Sequence, residues 1–172
     1  MNSQIEAAPH QLIARAVIWK GGRLLANRAR NAAGQPYAAL PGGHVDPGED
    51  CKTALAREME EELQARVRVG ELLFVSEAKY LGGKRGHKVI HELALFFHAE
   101  LLNELSEQGG RIDSPEARKN FGWLAPEGWD ELNLVPLALR AVLSGSSAAR
   151  YDFLDLSREP SPELNPEQES NS

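Results

Sequence analysis

Residues 40–67 read LPGGHVDPGEDCKTALAREMEEELQARV, and residues 57–62 within them, REMEEE, hold four glutamates. Like charges at neighbouring helical positions repel. So much negative charge in under two turns is either a solvated acidic face or a face meant to lie beside something positive. Leu55, Met59 and Leu63 recur at i+4 steps, which predicts a helix from Cys51 to about Ala65 with those three side chains buried. Asp50 is placed to cap its start. At 100° per residue, Glu58, Glu61 and Glu62 fall within about 100° of one another, adjoining the apolar stripe. Glu60 projects away from the other three.

Three carboxylates converging at the edge of a buried face repel and acquire raised pKa values unless a cation neutralises them. All-oxygen ligands suit hard ions such as Mg²⁺ or Mn²⁺. Such an ion polarises phosphoryl oxygens and acidifies an attacking water. The turn ahead of the helix fits the same chemistry, because Gly42 and Gly43 can bring bare backbone N–H groups close to an anion, and a helix N-terminus adds a favourable dipole. A Glu-rich face or a PGG loop taken alone is bland, since charged residues lie mostly outside.

Outward from this stretch, 172 residues suffice for one well-packed domain. Hydrophobic residues at 42% and charged residues at 26% match globular usage, so a core is expected. A net charge of -6 argues against a nucleic-acid wrapper, which shows a basic stripe. Cys51 is the single cysteine, which excludes an internal disulfide and fits a reducing, cytoplasmic setting. The start MNSQIEAAPH lacks the basic and apolar regions of a secretory signal, and no apolar stretch reaches membrane-spanning length.

Residues 11–20 and 23–30 read as strands around a GG turn. Residues 31–50 read as a long functional loop. Residues 66–81, with a bend at Gly70, and 89–102 read as a hairpin with a basic tip at Lys84, Arg85, His87 and Lys88. Residues 103–117 read as a loop and 120–126 as a short strand. A final helix begins near Pro136 and ends before Gly145. The order predicts a single α/β domain with a mixed sheet. Residues 1–10 form an N-terminal extension, 11–145 the domain, and 146–172 a polar tail, disordered from about 157.

The spacing Gly43, five residues, Glu49, seven residues, Arg57-Glu58-Met59-Glu60-Glu61-Glu62 resembles the Nudix box, the signature of the Nudix hydrolases. Gly43, Glu49, Arg57, Glu58, Met59, Glu61 and Glu62 match. Gln64 stands where the family has glycine, and Ala65 where it has a larger apolar residue. The resemblance implies an α/β/α sandwich around a mixed sheet and metal-dependent hydrolysis of a diphosphate linkage in a small nucleotide, with Mg²⁺ (or Mn²⁺) as cofactor. It makes Glu58, Glu61 and Glu62 metal ligands, and Arg57 the residue that holds the carboxylates by ion pairing. Glu49 supports the loop or joins the metal site. The family also implies a further carboxylate from the loop before the last sheet strand, with Asp113 and Glu116 as candidates. Glu92, interrupting an apolar strand, is another, unless it faces solvent in the alternation.

Arg28 and Arg30 stand ahead of the box loop, within reach of substrate phosphates. His44 lies inside the box. Tyr37 and Tyr80 either stack on a base or pack. The expected partner is a small nucleotide, with homodimerisation compatible with the family; nucleic acid and membrane are not expected. The alternative is a catalytically silent Nudix-fold nucleotide sensor, against which the intact glutamate triplet stands.

Overall fold

The computed structural model describes residues 6–7, 10–31, 33–82 and 88–160. The first strands are β1 (Glu6–Ala7), β2 (Gln11–Val17), β3 (Trp19–Lys20), β4 (Arg23–Arg30), β5 (Pro36–Ala39) and β6 (Gly42–His44). Helix α1 (Cys51–Leu63) follows, then β7 (Val67–Gly82) and β8 (Lys88–Leu101). After β9 (Glu107–Gln108), β10 (Arg111–Ile112) and β11 (Phe121–Leu124) come a single 3₁₀ turn, α2 (Leu137–Leu143) and β12 (Tyr151–Pro160).

Two sheets result. One runs β12-β7-β8-β2-β6, with β1 also on β8; the other runs β3-β4-β11-β10-β9, with β5 on β4. The first is mixed, because β2 lies parallel to β8 and antiparallel to β6. Alternation along β2 decides what covers each face. Ile13 and Val17 join Phe74, Phe96, Leu134 and Leu139 of α2 in one cluster. Ala14, Ala16 and Ile18 join Leu55, Met59 and Leu63 of α1 in another. The expected α/β/α sandwich is what forms. Full burial of Leu55 and Met59 anchors α1, at about 1.5–3 kcal/mol for each side chain.

The hairpin expected at 66–102 is present, and the register of β7 on β8 slips between Val69 and Leu72, around the predicted bend. The strand expected at 11–20 divides: β2 pairs with β6 and β8 in one sheet, and only the short β3 pairs with β4, across the GG turn, in the other. Three further expectations need correction. The 31–50 segment is not loop throughout: β5 and β6 lie within it, each paired to a neighbour already in the sheets. The 103–117 segment likewise contributes β9 and β10. Within the stretch read as polar tail, Tyr151–Pro160 forms a strand parallel to β7, tied by a hydrogen bond from the Tyr151 hydroxyl to Glu77. Tertiary pairing supplied order that the local composition did not announce. Of the basic hairpin tip, Lys84, Arg85 and His87 lie outside the described residues, and Lys88 opens β8.

The ends of α1 are closed by hydrogen bonds. Asp50 Oδ1 accepts from the N–H groups of Lys52 (3.0 Å) and Thr53 (3.1 Å), as the cap reading predicts. At the other end Gln64 takes the left-handed conformation, φ 51° and ψ 35°, and its N–H donates to the Glu60 carbonyl while that of Ala65 donates to Met59. The helix exit that glycine favours is therefore made by a glutamine, at a steric cost of roughly 1 kcal/mol. Gln64→Gly is expected to raise unfolding stability by about 0.5–1 kcal/mol in a urea titration; a loss of stability would contradict the strained-cap account.

Candidate functional site

The Gly42–Gly43 turn and helix α1 are fitted to each other by the absence of two side chains. Gly42 has φ 127°, and a Cβ there would lie 2.1 Å from the Ala14 carbonyl oxygen, inside the β2–β6 pairing. A Cβ on Gly43 would fall 2.4 Å from the Glu58 carboxylate. Gly43 thus makes the space that Glu58 occupies. Arg15 on β2 fixes the turn from the other side, its Nη1 donating to the carbonyls of Leu40 (3.0 Å) and Gly42 (3.1 Å).

Arg57 is the hub. Its Nε and Nη2 donate to the two oxygens of Glu49, at 2.9 and 3.0 Å, a paired geometry that a planar guanidinium provides and a lysine cannot. Nη1 donates to Glu58 Oε1 (2.8 Å) and Glu61 Oε2 (3.2 Å), and Nη2 also reaches the His44 carbonyl (3.1 Å). One arginine therefore ties the start of the box loop to two glutamates of the helix. The hydrogen bond from Arg57 holds the Glu49 carboxyl below its ordinary pKa. Glu58 is pushed the other way: burial is the largest influence and raises its pKa, Arg57 opposes it, and the charges of Glu62 and Glu61 raise it further. His44 is held below its ordinary value by desolvation and then by the Arg15 charge, which keeps its ring neutral near pH 7.

Glu62 is separate from this group. It is 2% exposed, and both its oxygens are bonded: Oε2 by the Gly42 N–H at 2.9 Å, Oε1 by Lys119 Nζ at 2.7 Å. The anion that takes the Gly42 N–H is thus an internal carboxylate. Ser114 Oγ donates to the Glu62 carbonyl at 2.6 Å, so the loop before β11 closes on the last turn of α1 at two points.

That loop was expected to supply a carboxylate. The structure brings a lysine instead. Asp113 accepts from Ser106 at 2.5 Å, and Glu116 stands 4.0 Å from Lys119. Glu92 accepts from the Tyr80 hydroxyl at 2.8 Å on the β7–β8 hairpin. Arg28 Nη2 donates to the Trp123 carbonyl and Arg30 Nη1 to the Gly34 carbonyl, contacts that do not involve the box helix. Tyr37 and Tyr80 are both buried. Lys119, Ser114 and Arg15 carry no motif that marks them in the sequence; they reach the box through the fold of the loop before β11 and the pairing of β2 with β6.

Among the described residues, no three His, Cys, Asp or Glu side chains stand as a ready-made cation cage. Glu58 and Glu61 nonetheless fit a hard cation. They meet at one guanidinium nitrogen, Glu61 is 55% exposed, and the desolvated Glu58 carboxylate needs positive charge beside it.

The NUDIX domain model matches residues 9–142. Solved structures agree with it. The MutT protein from Bacillus halodurans superposes with a TM-score of 0.61 at 18% identity, over 86% of this chain and 90% of that one. The MutT NUDIX hydrolase from Burkholderia pseudomallei gives 0.55 at 26% identity, over 81% of this chain and all (100%) of that one. A NUDIX hydrolase from Nitrosomonas europaea gives 0.58 at 16% identity, over 83% and 93%. The chain belongs to the Nudix family, hydrolases of pyrophosphate linkages that act on small nucleotides and generally use divalent metals. No helix among the described residues is long and apolar enough to cross a membrane.

Removing Lys119 strands a buried charge, and breaking such a pair costs about 3–5 kcal/mol. Lys119→Met should lower unfolding stability by roughly that amount in the metal-free protein. A change under about 0.5 kcal/mol, the range of an ordinary surface site, would show that the pair is not held in solution.

Proposed function

We propose that this protein hydrolyses a pyrophosphate linkage in a small nucleotide using Mg²⁺ or Mn²⁺ held by Glu58 and Glu61. The observation that carries the reading is the shared Arg57 nitrogen, which brings those two carboxylates together beside a turn with no side chain at Gly43. Bound there, the ion supplies charge stabilisation at phosphoryl oxygens and a more acidic water.

The chain's own residues do the rest. Arg57 holds the two carboxylates at fixed separation, and its grip on Glu49 keeps the guanidinium from swinging away. Gly43 leaves the Glu58 carboxylate against bare backbone. Glu58 and Glu61 are also the groups placed to accept a proton from the attacking water. Glu60, exposed on the outer face, takes no part.

The test is a panel of ADP-ribose, nucleotide sugars, dinucleoside polyphosphates and nucleoside triphosphates, each with and without Mg²⁺ or Mn²⁺, read by product mass. Cleavage within the diphosphate that needs metal is the expected result. Glu58→Gln and Glu61→Gln should each lower kcat by about a hundredfold or more, whereas Glu60→Gln stays within about twofold. Equal loss from all three would remove the assignment by helix face. Folded protein that binds nucleotide without turning it over would favour the sensor.

A further inference from the structure

We infer that Lys119 is an exchangeable stand-in for the box cation. Its ammonium neutralises Glu62 in the ion-free protein, then yields the Glu62 oxygen to an arriving divalent ion and turns outward to Glu116. The inference rests on the reading of the box as a cation site and concerns how that site is kept before it is filled.

Glu62, at 2% exposure, needs hydrogen bonds and a countercharge. Its two oxygens are held in different ways. Oε2 accepts from the Gly42 N–H at 2.9 Å, a backbone donor fixed in β6 by pairing with β2. Oε1 accepts from Lys119 Nζ at 2.7 Å, a compact charge at the end of a flexible four-carbon stem. Oε1 is therefore the oxygen that can change partner, and a carboxylate oxygen suits a hard divalent ion. It belongs to the box, because Gly42 adjoins Gly43, against which the Glu58 carboxylate lies. An ammonium and a divalent ion on one oxygen repel each other, so binding of one displaces the other.

The loop before β11 can release the ammonium without coming apart. Ser114 Oγ donates to the Glu62 carbonyl at 2.6 Å and accepts the Glu116 N–H at 3.1 Å, and the Glu116 carbonyl accepts the Lys119 N–H at 3.0 Å. Those bonds tie the loop backbone to α1 independently of the Lys119 ammonium. A second acceptor stands on the solvent side. Glu116 Oε2 is 4.0 Å from Lys119 Nζ, and its side chain is 46% exposed against 3% for Glu62. The ammonium thus lies between a buried carboxylate and an open one, with a short path from the first to the second.

The experiment is reductive methylation of the nucleotide-free full chain, read at Lys119 by peptide mass with and without Mg²⁺, beside Mn²⁺ affinity from the free-ion EPR signal. Lys119 should react slowly without metal and about fivefold or more faster at saturating Mg²⁺. Lys20, whose side chain is 54% exposed, serves as the unchanging reference. The same coupling acts in reverse, so Lys119→Met should bind Mn²⁺ about tenfold more tightly than wild type, with no ammonium to displace. Glu62→Gln, which removes the anchoring charge, should make Lys119 react fast with or without Mg²⁺. Lys119 that stays protected at saturating Mg²⁺, or Lys119→Met that binds Mn²⁺ no more tightly than wild type, overturns the exchange and leaves the cation reading intact. Should Lys119→Met not fold, the wild-type methylation rates decide alone. Folded wild type that takes up no Mn²⁺ overturns the cation reading itself and this inference with it.

Discussion

A carboxylate buried to 2% exposure has to be hydrogen-bonded at both oxygens or give up its charge. Glu62 meets that requirement through Gly42 on one side and Lys119 on the other, and those two bonds join three parts of the chain far apart in sequence. The start of β6, the last turn of α1 and the loop leading into β11 are held in one arrangement. Gly42 has to be glycine because its Cβ would strike Ala14. The helix has to lie at that depth because Leu55 and Met59 fill the space under β2.

On that frame the Arg57 cluster is set in place. Its five hydrogen bonds go to three carboxylates and to the His44 carbonyl across the box loop, so the guanidinium is both the internal countercharge and the spacer between Glu58 and Glu61. The opposed shifts of Glu49 and Glu58 follow. Glu49 is bonded at both oxygens by a cation, which lowers its pKa, whereas burial, joined by the charges of Glu62 and Glu61, raises that of Glu58 against the pull of Arg57. The site is therefore left with an electrostatic demand on one side of Glu58, the side on which Gly43 has no side chain.

Much of this was legible in the sequence because it is local. The apolar stripe of helix α1 and the separation of Glu60 from the other glutamates follow from 3.6-residue periodicity, and the cap at Asp50 from its side-chain acceptor at the helix start. The two long hairpin strands are legible from β-branched and aromatic runs bounded by turn residues. What was not legible depends on partners distant in the chain. The pairing of β5 and β6, the short β9–β10 pair and β12 owe their order to neighbouring strands. Whether Asp113, Glu116 or Lys119 faces Glu62 is settled by how the loop before β11 folds back, a matter of tertiary geometry. Gln64 shows the reverse case: the sequence marked a helix end without its glycine, and the backbone takes the left-handed turn regardless.

The central claim is that a divalent ion binds at the inward glutamates of the box helix beside Gly43. The most direct measurement is an anomalous difference map from crystals soaked in Mn²⁺. The account predicts a peak about 2.0–2.5 Å from carboxylate oxygens of that helix face, Glu58 and Glu61 among them, the range for hard-cation ligands. Density for the ion only away from the box would contradict it.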